Sequence, residues 1–205
     1  MIVVHSLAYS RAARVLWLLE EAGESYEVVR YDRTDSYRAP PALAKVHPLG
    51  KAPVIVDDGF VLAESATILR YIAATRSGAA RFLPAGDARA VARHDEWLDY
   101  AEGTLARLVA PFFWHALKGA EVPDGAADAI RPHLDHLETT LSDRAYLTGD
   151  VLRLADMQIL YQLAMLDLDG VLACRPATAA YLARLTSAPA LRRATDRMGP
   201  VMPPV

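Results

Sequence analysis

The sequence predicts an α/β domain followed by an all-α domain, and three observations predict it. Strand-like and helix-like segments alternate through about the first 75 residues, a Gly- and Pro-bearing stretch interrupts them near residue 80, and long helical periodicities follow it. A chain of 205 residues is long for one typical domain and short for two large ones, so the change of pattern decides in favour of two.

Residues 2–5 (Ile-Val-Val-His) are short, β-branched and apolar, which fits a buried strand. After a loop over residues 6–9, apolar Ala13, Val15, Leu16, Trp17, Leu18, Leu19 and Ala22 recur at helical spacing, with Ser10 placed to cap the helix and Gly23 to stop it. Residues 26–31 read as a second strand, giving a βαβ unit expected to be parallel and right-handed. Residues 32–50, punctuated by Pro40, Pro41, Pro48 and Gly50, read as loop with one short helix near 42–46. Residues 54–56 and 60–62 flank Asp57-Asp58-Gly59 and predict a hairpin, and Glu64-Ser65 opens a helix to Thr75. Beyond the linker, helical patterns cover 87–118, 124–142, 154–166 and about 177–198. The expected organisation is a first domain over residues 1–77, a linker over 78–86 and a helical domain over 87–205.

With 53% hydrophobic and 23% charged residues the chain has ample material for a packed core, which argues against intrinsic disorder. A net charge of -3 and a pI near 6.1 provide no basic field, so no nucleic-acid partner is expected. The one cysteine, Cys174, rules out an internal disulfide and suits a reducing compartment; its expected role is packing. The first residues lack the pattern of a secretory leader and no apolar run reaches the roughly 20 residues that span a bilayer, so the expectation is a cytoplasmic protein without a membrane partner. His94, His115, His133 and His136 have no metal-ligand spacing, and no metal is expected.

Residues 47–54, His-Pro-Leu-Gly-Lys-Ala-Pro-Val, followed by 62–68, Leu-Ala-Glu-Ser-Ala-Thr-Ile, closely resemble the glutathione-site core of cytosolic glutathione transferases. Residues 10–21, Ser-Arg-Ala-Ala-Arg-Val-Leu-Trp-Leu-Leu-Glu-Glu, resemble the first helix of bacterial members, and the resemblance extends through the helix-rich half. It implies a thioredoxin-like βαβ-ββα domain that holds glutathione as co-substrate, a C-terminal helical bundle domain, and a homodimer. It also implies a cis bond before Pro53, with the backbone of Ala52 pairing with the cysteinyl part of glutathione. Ser65 and its amide would hold the γ-glutamyl carboxylate at a helix N-terminus, Glu64 would face the ammonium, and Lys51 would reach the glycyl carboxylate.

Catalysis in such a protein depends on stabilising the thiolate of glutathione with a hydroxyl donor at the start of the first helix. Counting back from Trp17, the tyrosine of the tyrosine-type classes would fall on His5, which does not support that type. The serine of the serine-type classes falls at Tyr9 or Ser10; Ser10 is favoured, being small and next to the helix, and Tyr9 is its rival. Arg11 is placed to add positive potential. Tyr100, Thr104, Arg107, Leu108, Phe112, Phe113 and Trp114 are candidates for a pocket for the acceptor, a small apolar electrophile. One departure stands out, because Arg153 occupies the place where the family pattern puts the Ser or Thr of a capping box with Asp156. Conjugation is the leading activity; a glutathione-dependent isomerase or peroxidase on the same site, and a non-catalytic binding module, are the alternatives.

Overall fold

The computed structural model describes residues 1–204 and divides them into two compact units. The first comprises Met1–Leu83 with Ala188–Met202, and the second is made mainly of Pro84–Ser187.

In the first unit, β1 (Ile2–Leu7), β2 (Tyr26–Tyr31), β3 (Val54–Asp57) and β4 (Phe60–Ala63) form one sheet in the order β2-β1-β3-β4. β1 runs parallel to β2, as the βαβ reading requires, and antiparallel to β3, which forms a hairpin with β4. The hairpin turns on Asp58 and Gly59, both at positive φ (48° and 90°), the two-residue geometry whose twist matches that of the flanking strands. β1 extends two residues beyond the expected strand and therefore ends closer to the first helix.

Helix α1 (Ala12–Ala22) begins two residues later than Ser10. Ala12 through Leu19 are all buried, which explains why its apolar residues crowd together instead of keeping to one stripe. The short α2 (Pro41–Ala44) starts at a proline whose missing N–H costs the first turn nothing. α3 (Ser65–Thr75) packs beside α1 and buries Ile68, Leu69 and Ile72. The segment after α3 contains a single 3-10 turn at Ala80–Phe82, and Gly78 packs so tightly there that a Cβ would lie 2.3 Å from the carbonyl oxygen of Ala22.

The second unit is helical. α4 (Ala88–Tyr100), capped by Asp87, passes through a π-helical turn at Ala101–Leu105 into α5 (Ala106–Lys118). α6 (Ala126–Leu141) follows, then α7 (Leu154–Leu168), which is buried nearly all round and packs against α4, α5 and α8 (Pro176–Thr186). Asp156 near the start of α7 accepts hydrogen bonds from Arg153 N (2.8 Å), Leu147 N (2.9 Å) and Tyr181 Oη (2.6 Å). Arg153 offers no acceptor, so the acid supplies the half of the capping box that survives.

The pattern over 177–198 is two helices, not one: Pro189 ends the first run, and α9 (Pro189–Met198) starts there. α9 belongs to the first unit, packed on α1. Glu20 of α1 accepts from Tyr26 Oη at 2.6 Å and from Arg193 Nε at 2.8 Å, while Arg197 lies over the Tyr26 ring at 4.4 Å. Burial, then the bond to Glu20, pushes the Tyr26 hydroxyl up to about 12, so it stays a donor at any physiological pH. Cys174 is exposed at the end of a 3-10 turn and fills no core position, contrary to the packing role expected of it.

Candidate active site

Register gathers the predicted residues of the first unit. His5 of β1 pairs with Val54 of β3, and Val54 pairs with Ala63 of β4, so the end of β1, the start of β3 and the end of β4 share one edge of the sheet. The segments leaving or entering that edge are Tyr9-Ser10, Ala52-Pro53 and Glu64-Ser65. Residues some 55 positions apart in sequence are therefore neighbours because of strand pairing alone.

The Ala52–Pro53 peptide bond is cis, as expected. Glu64 sits at the head of α3 with φ 70° and ψ 110°, a conformation uncommon for a side-chain-bearing residue, and its carbonyl accepts the first helical bond from Ile68 N at 2.9 Å. That backbone leaves the Glu64 side chain exposed and turns Ser65 inward. Ser65 Oγ accepts a hydrogen bond from Arg14 Nη1 at 3.0 Å. Arg14 lies on α1 and has no exposed surface. It ties the heads of α1 and α3 together, and the sequence reading missed it, having looked to Arg11 for positive potential. The available signal was a cation set among apolar residues in a helix that has no polar face there.

At the head of α1, Ser10 is 4% exposed and its Oγ accepts from Ala12 N at 3.3 Å. The cap position itself is Arg11, one residue later than expected, so Ser10 reaches the first helical amide from just outside the cap while its hydroxyl hydrogen remains able to donate. Tyr9 is half-buried at φ 53°, and its carbonyl accepts from Arg33 Nη2 at 2.9 Å. His5 hydrogen-bonds Tyr31 Oη through Nδ1 at 2.9 Å, and burial lowers its pKa, which keeps the ring neutral at pH 7. Lys51 is exposed.

The second group of candidates lies on the α4–α5 run. Tyr100 is half-buried, donates to or accepts from His133 Nδ1 at 2.9 Å, and is pushed up to about 12 by burial. Thr104 lies in the π turn, a feature frequent at functional sites, and Arg107 is exposed. Leu108 is half-buried and Trp114 is exposed, with the ring of Phe113 edge-on to it at 5.2 Å. Phe112 and Phe113 are buried in the interior. Among the described residues, no group of three or more His, Cys, Asp or Glu is placed to hold a metal, and no helix is long and apolar enough to cross a membrane.

Residues 1–74 match the family model for the glutathione S-transferase N-terminal domain. Over 199 residues the chain is 30% identical to glutathione S-transferase 4 of Zea mays, covering 91% of this chain and 87% of that one. The chain belongs to the glutathione S-transferase family. Glutathione S-transferase 3 of Schizosaccharomyces pombe is 42% identical over 115 residues, 56% of this chain, and the match spans less than half (45%) of that relative's length. A crystal structure of a glutathione S-transferase from Actinobacillus pleuropneumoniae superposes with a TM-score of 0.83 at 29% identity, covering 97% of this chain and 93% of that one. The family assignment explains why a thioredoxin-like sheet and a helical unit occur in one chain of this length, and it directs attention to the edge that carries Ser10, Pro53 and Ser65.

Proposed function

We propose that this family member is a glutathione transferase that joins the sulfur of glutathione to a small apolar electrophile. The observation that carries this reading is the convergence, at one sheet edge, of the α1 head with Ser10, the cis bond before Pro53, and the α3 head with Glu64-Ser65. The edge offers what a tripeptide thiol requires: the backbone of Ala52 before the cis bond for main-chain pairing, a helix N-terminus for a carboxylate, an acid for the ammonium, and a hydroxyl for the sulfur. Lys51, exposed beside Ala52, suits the glycyl carboxylate.

In this mechanism the Ser10 hydroxyl donates to the sulfur, and the amides at the head of α1 add the positive end of the helix dipole. Together they lower the thiol from about 8.5 by about two units, a preference for the anion of about 3 kcal/mol. The thiol proton leaves to solvent, the thiolate attacks the electrophilic carbon, the C–S bond forms and the leaving group departs with the electron pair of its bond. Tyr9 lines the approach to the sulfur. The acceptor contacts in this reading are Tyr100, Thr104 and Arg107 of the helical unit, in which Phe112 and Phe113 are buried. The protein works as a homodimer in the cytoplasm, a state that sedimentation checks.

Purified protein assayed with an aryl halide, a hydroperoxide and a maleyl-type substrate distinguishes conjugation from peroxidase and isomerase chemistry. Conjugation with the halide supports the reading. Calorimetry that detects no glutathione binding overturns it and favours a binding module.

A further inference from the structure

We infer that Arg33 is a positioning residue for the thiolate donor: its guanidinium fixes the backbone of Ala8 and Tyr9 in the turn that presents Ser10. The inference rests on the glutathione-transferase reading and adds to it a residue outside the sheet edge.

Arg33 follows β2 in a loop and is half-buried. Its Nε donates to Ala8 O, its Nη2 to Tyr9 O and its Nη1 to Tyr37 O, each at 2.9 Å. The guanidinium also lies over the Tyr37 ring, 4.2 Å from its centroid. Three donors diverging in one plane onto three carbonyls, with an aromatic face beneath, is an arrangement that an ammonium cannot reproduce. The bonds fall where the chain needs restraint. Tyr9 is held at φ 53°, a region that side-chain-bearing residues enter at a cost of about 1–2 kcal/mol and keep only when the surroundings impose it. The Tyr9 carbonyl belongs to the peptide group that includes the Ser10 amide, so any rotation of that group swings the head of α1 and the Ser10 hydroxyl with it. A cavity of about 260 Å³, lined in part by Tyr9, Arg33, Tyr37, Met198 and Pro200, adjoins the loop and gives it room to relax once the fork is removed.

The geometry separates two duties. In the proposed mechanism glutathione is held through Ala52 and Ser65, and none of the three Arg33 bonds goes to either residue. Its loss should therefore alter the ionisation of the bound thiol and the turnover number while leaving the KM for glutathione nearly unchanged.

The test compares the full-length protein with Arg33→Lys and Arg33→Ala. Amide hydrogen exchange of peptides covering residues 8–12 is followed without glutathione, and the thiolate absorbance of bound glutathione is titrated against pH. Exchange in that segment is expected to rise about tenfold in both variants, with β1 and β3 unchanged as a check on folding. The thiol should ionise about one pH unit higher, which lowers turnover about fivefold at pH 6.5 and restores it above pH 9 or so. Unchanged exchange over residues 8–12 overturns the inference whether or not glutathione binds. Raised exchange with an unmoved thiol overturns it too, leaving Arg33 a purely structural brace. If the unsubstituted protein shows no heat with glutathione, the functional reading fails and this inference falls with it, an outcome distinguished by the native protein alone.

Discussion

At the scale of single residues, Ser10 and Arg14 perform different work at the head of α1. In the proposed mechanism Ser10 is the donor to the sulfur, and removing one such donor from an anion site commonly costs about a hundredfold or more in rate. Ser10→Ala should accordingly lower turnover with an aryl halide about a hundredfold at pH 6.5, with a smaller deficit at high pH, as a pH–rate profile will show. Arg14 instead sets the orientation of Ser65, from inside the protein. Arg14→Gln should raise the KM for glutathione more than it lowers kcat, and steady-state kinetics at varied glutathione resolves the two. The place of Ser10 just before the head of α1 was legible in the sequence because the apolar periodicity of the helix begins right after it. Arg14 was not, because a charged residue in a helix normally reads as solvated and only packing from α3 reveals it as enclosed.

At the scale of elements, most of the first unit could be read from periodicity and turn chemistry, and the places where reading failed have physical causes. The π turn at Ala101–Leu105 escaped notice because one extra residue in a turn barely disturbs a helical pattern. α9 was grouped with the helical half because amphipathic spacing shows that a face is buried without saying against what; Glu20 and Tyr26 supply that answer. Where α3 leads into the following segment, Gly78 meets Ala22 O, and Gly78→Ala should cost about 2–3 kcal/mol in urea-unfolding experiments, since the obstacle is backbone and cannot swing aside. In the second unit, Asp156 carries the start of α7. Asp156→Ala removes three hydrogen bonds from a buried site and should destabilise by about 3–5 kcal/mol. Burial, opposed by those donors, pushes the Asp156 carboxyl up to about 6 from an ordinary 3.8. A group raised in the folded state contributes stability that is fully present below the unfolded value and is lost as pH rises through the folded one. The stability difference between native protein and Asp156→Asn should thus shift against the native protein between about pH 4 and 6 and level off above, as urea unfolding across that range will show.

At the scale of the whole molecule, the division of labour follows from topology. A sheet ordered β2-β1-β3-β4 places the ends of β1 and β4 and the start of β3 side by side, and Ser10, Pro53 and Ser65 lie on the segments that adjoin those three ends. The candidate site was legible because its motifs sit at loop–helix and loop–strand junctions, where side-chain type tracks backbone need. Its finer support was not: Arg33 lies in a polar loop whose contacts with Ala8 and Tyr9 no local pattern encodes. The acceptor is less legible still, since apolar and aromatic residues on α4 and α5 serve core and pocket alike. The claim that binds these levels together is that the sheet edge holds glutathione with its sulfur at Ser10. Titrating the thiol of protein-bound glutathione by its thiolate absorbance tests this most directly. Ionisation is expected at about pH 6.5 in the native protein, with a return toward about 8.5 in Ser10→Ala. A bound thiol that ionises like free glutathione, or one that does not move when Ser10 is replaced, would contradict it.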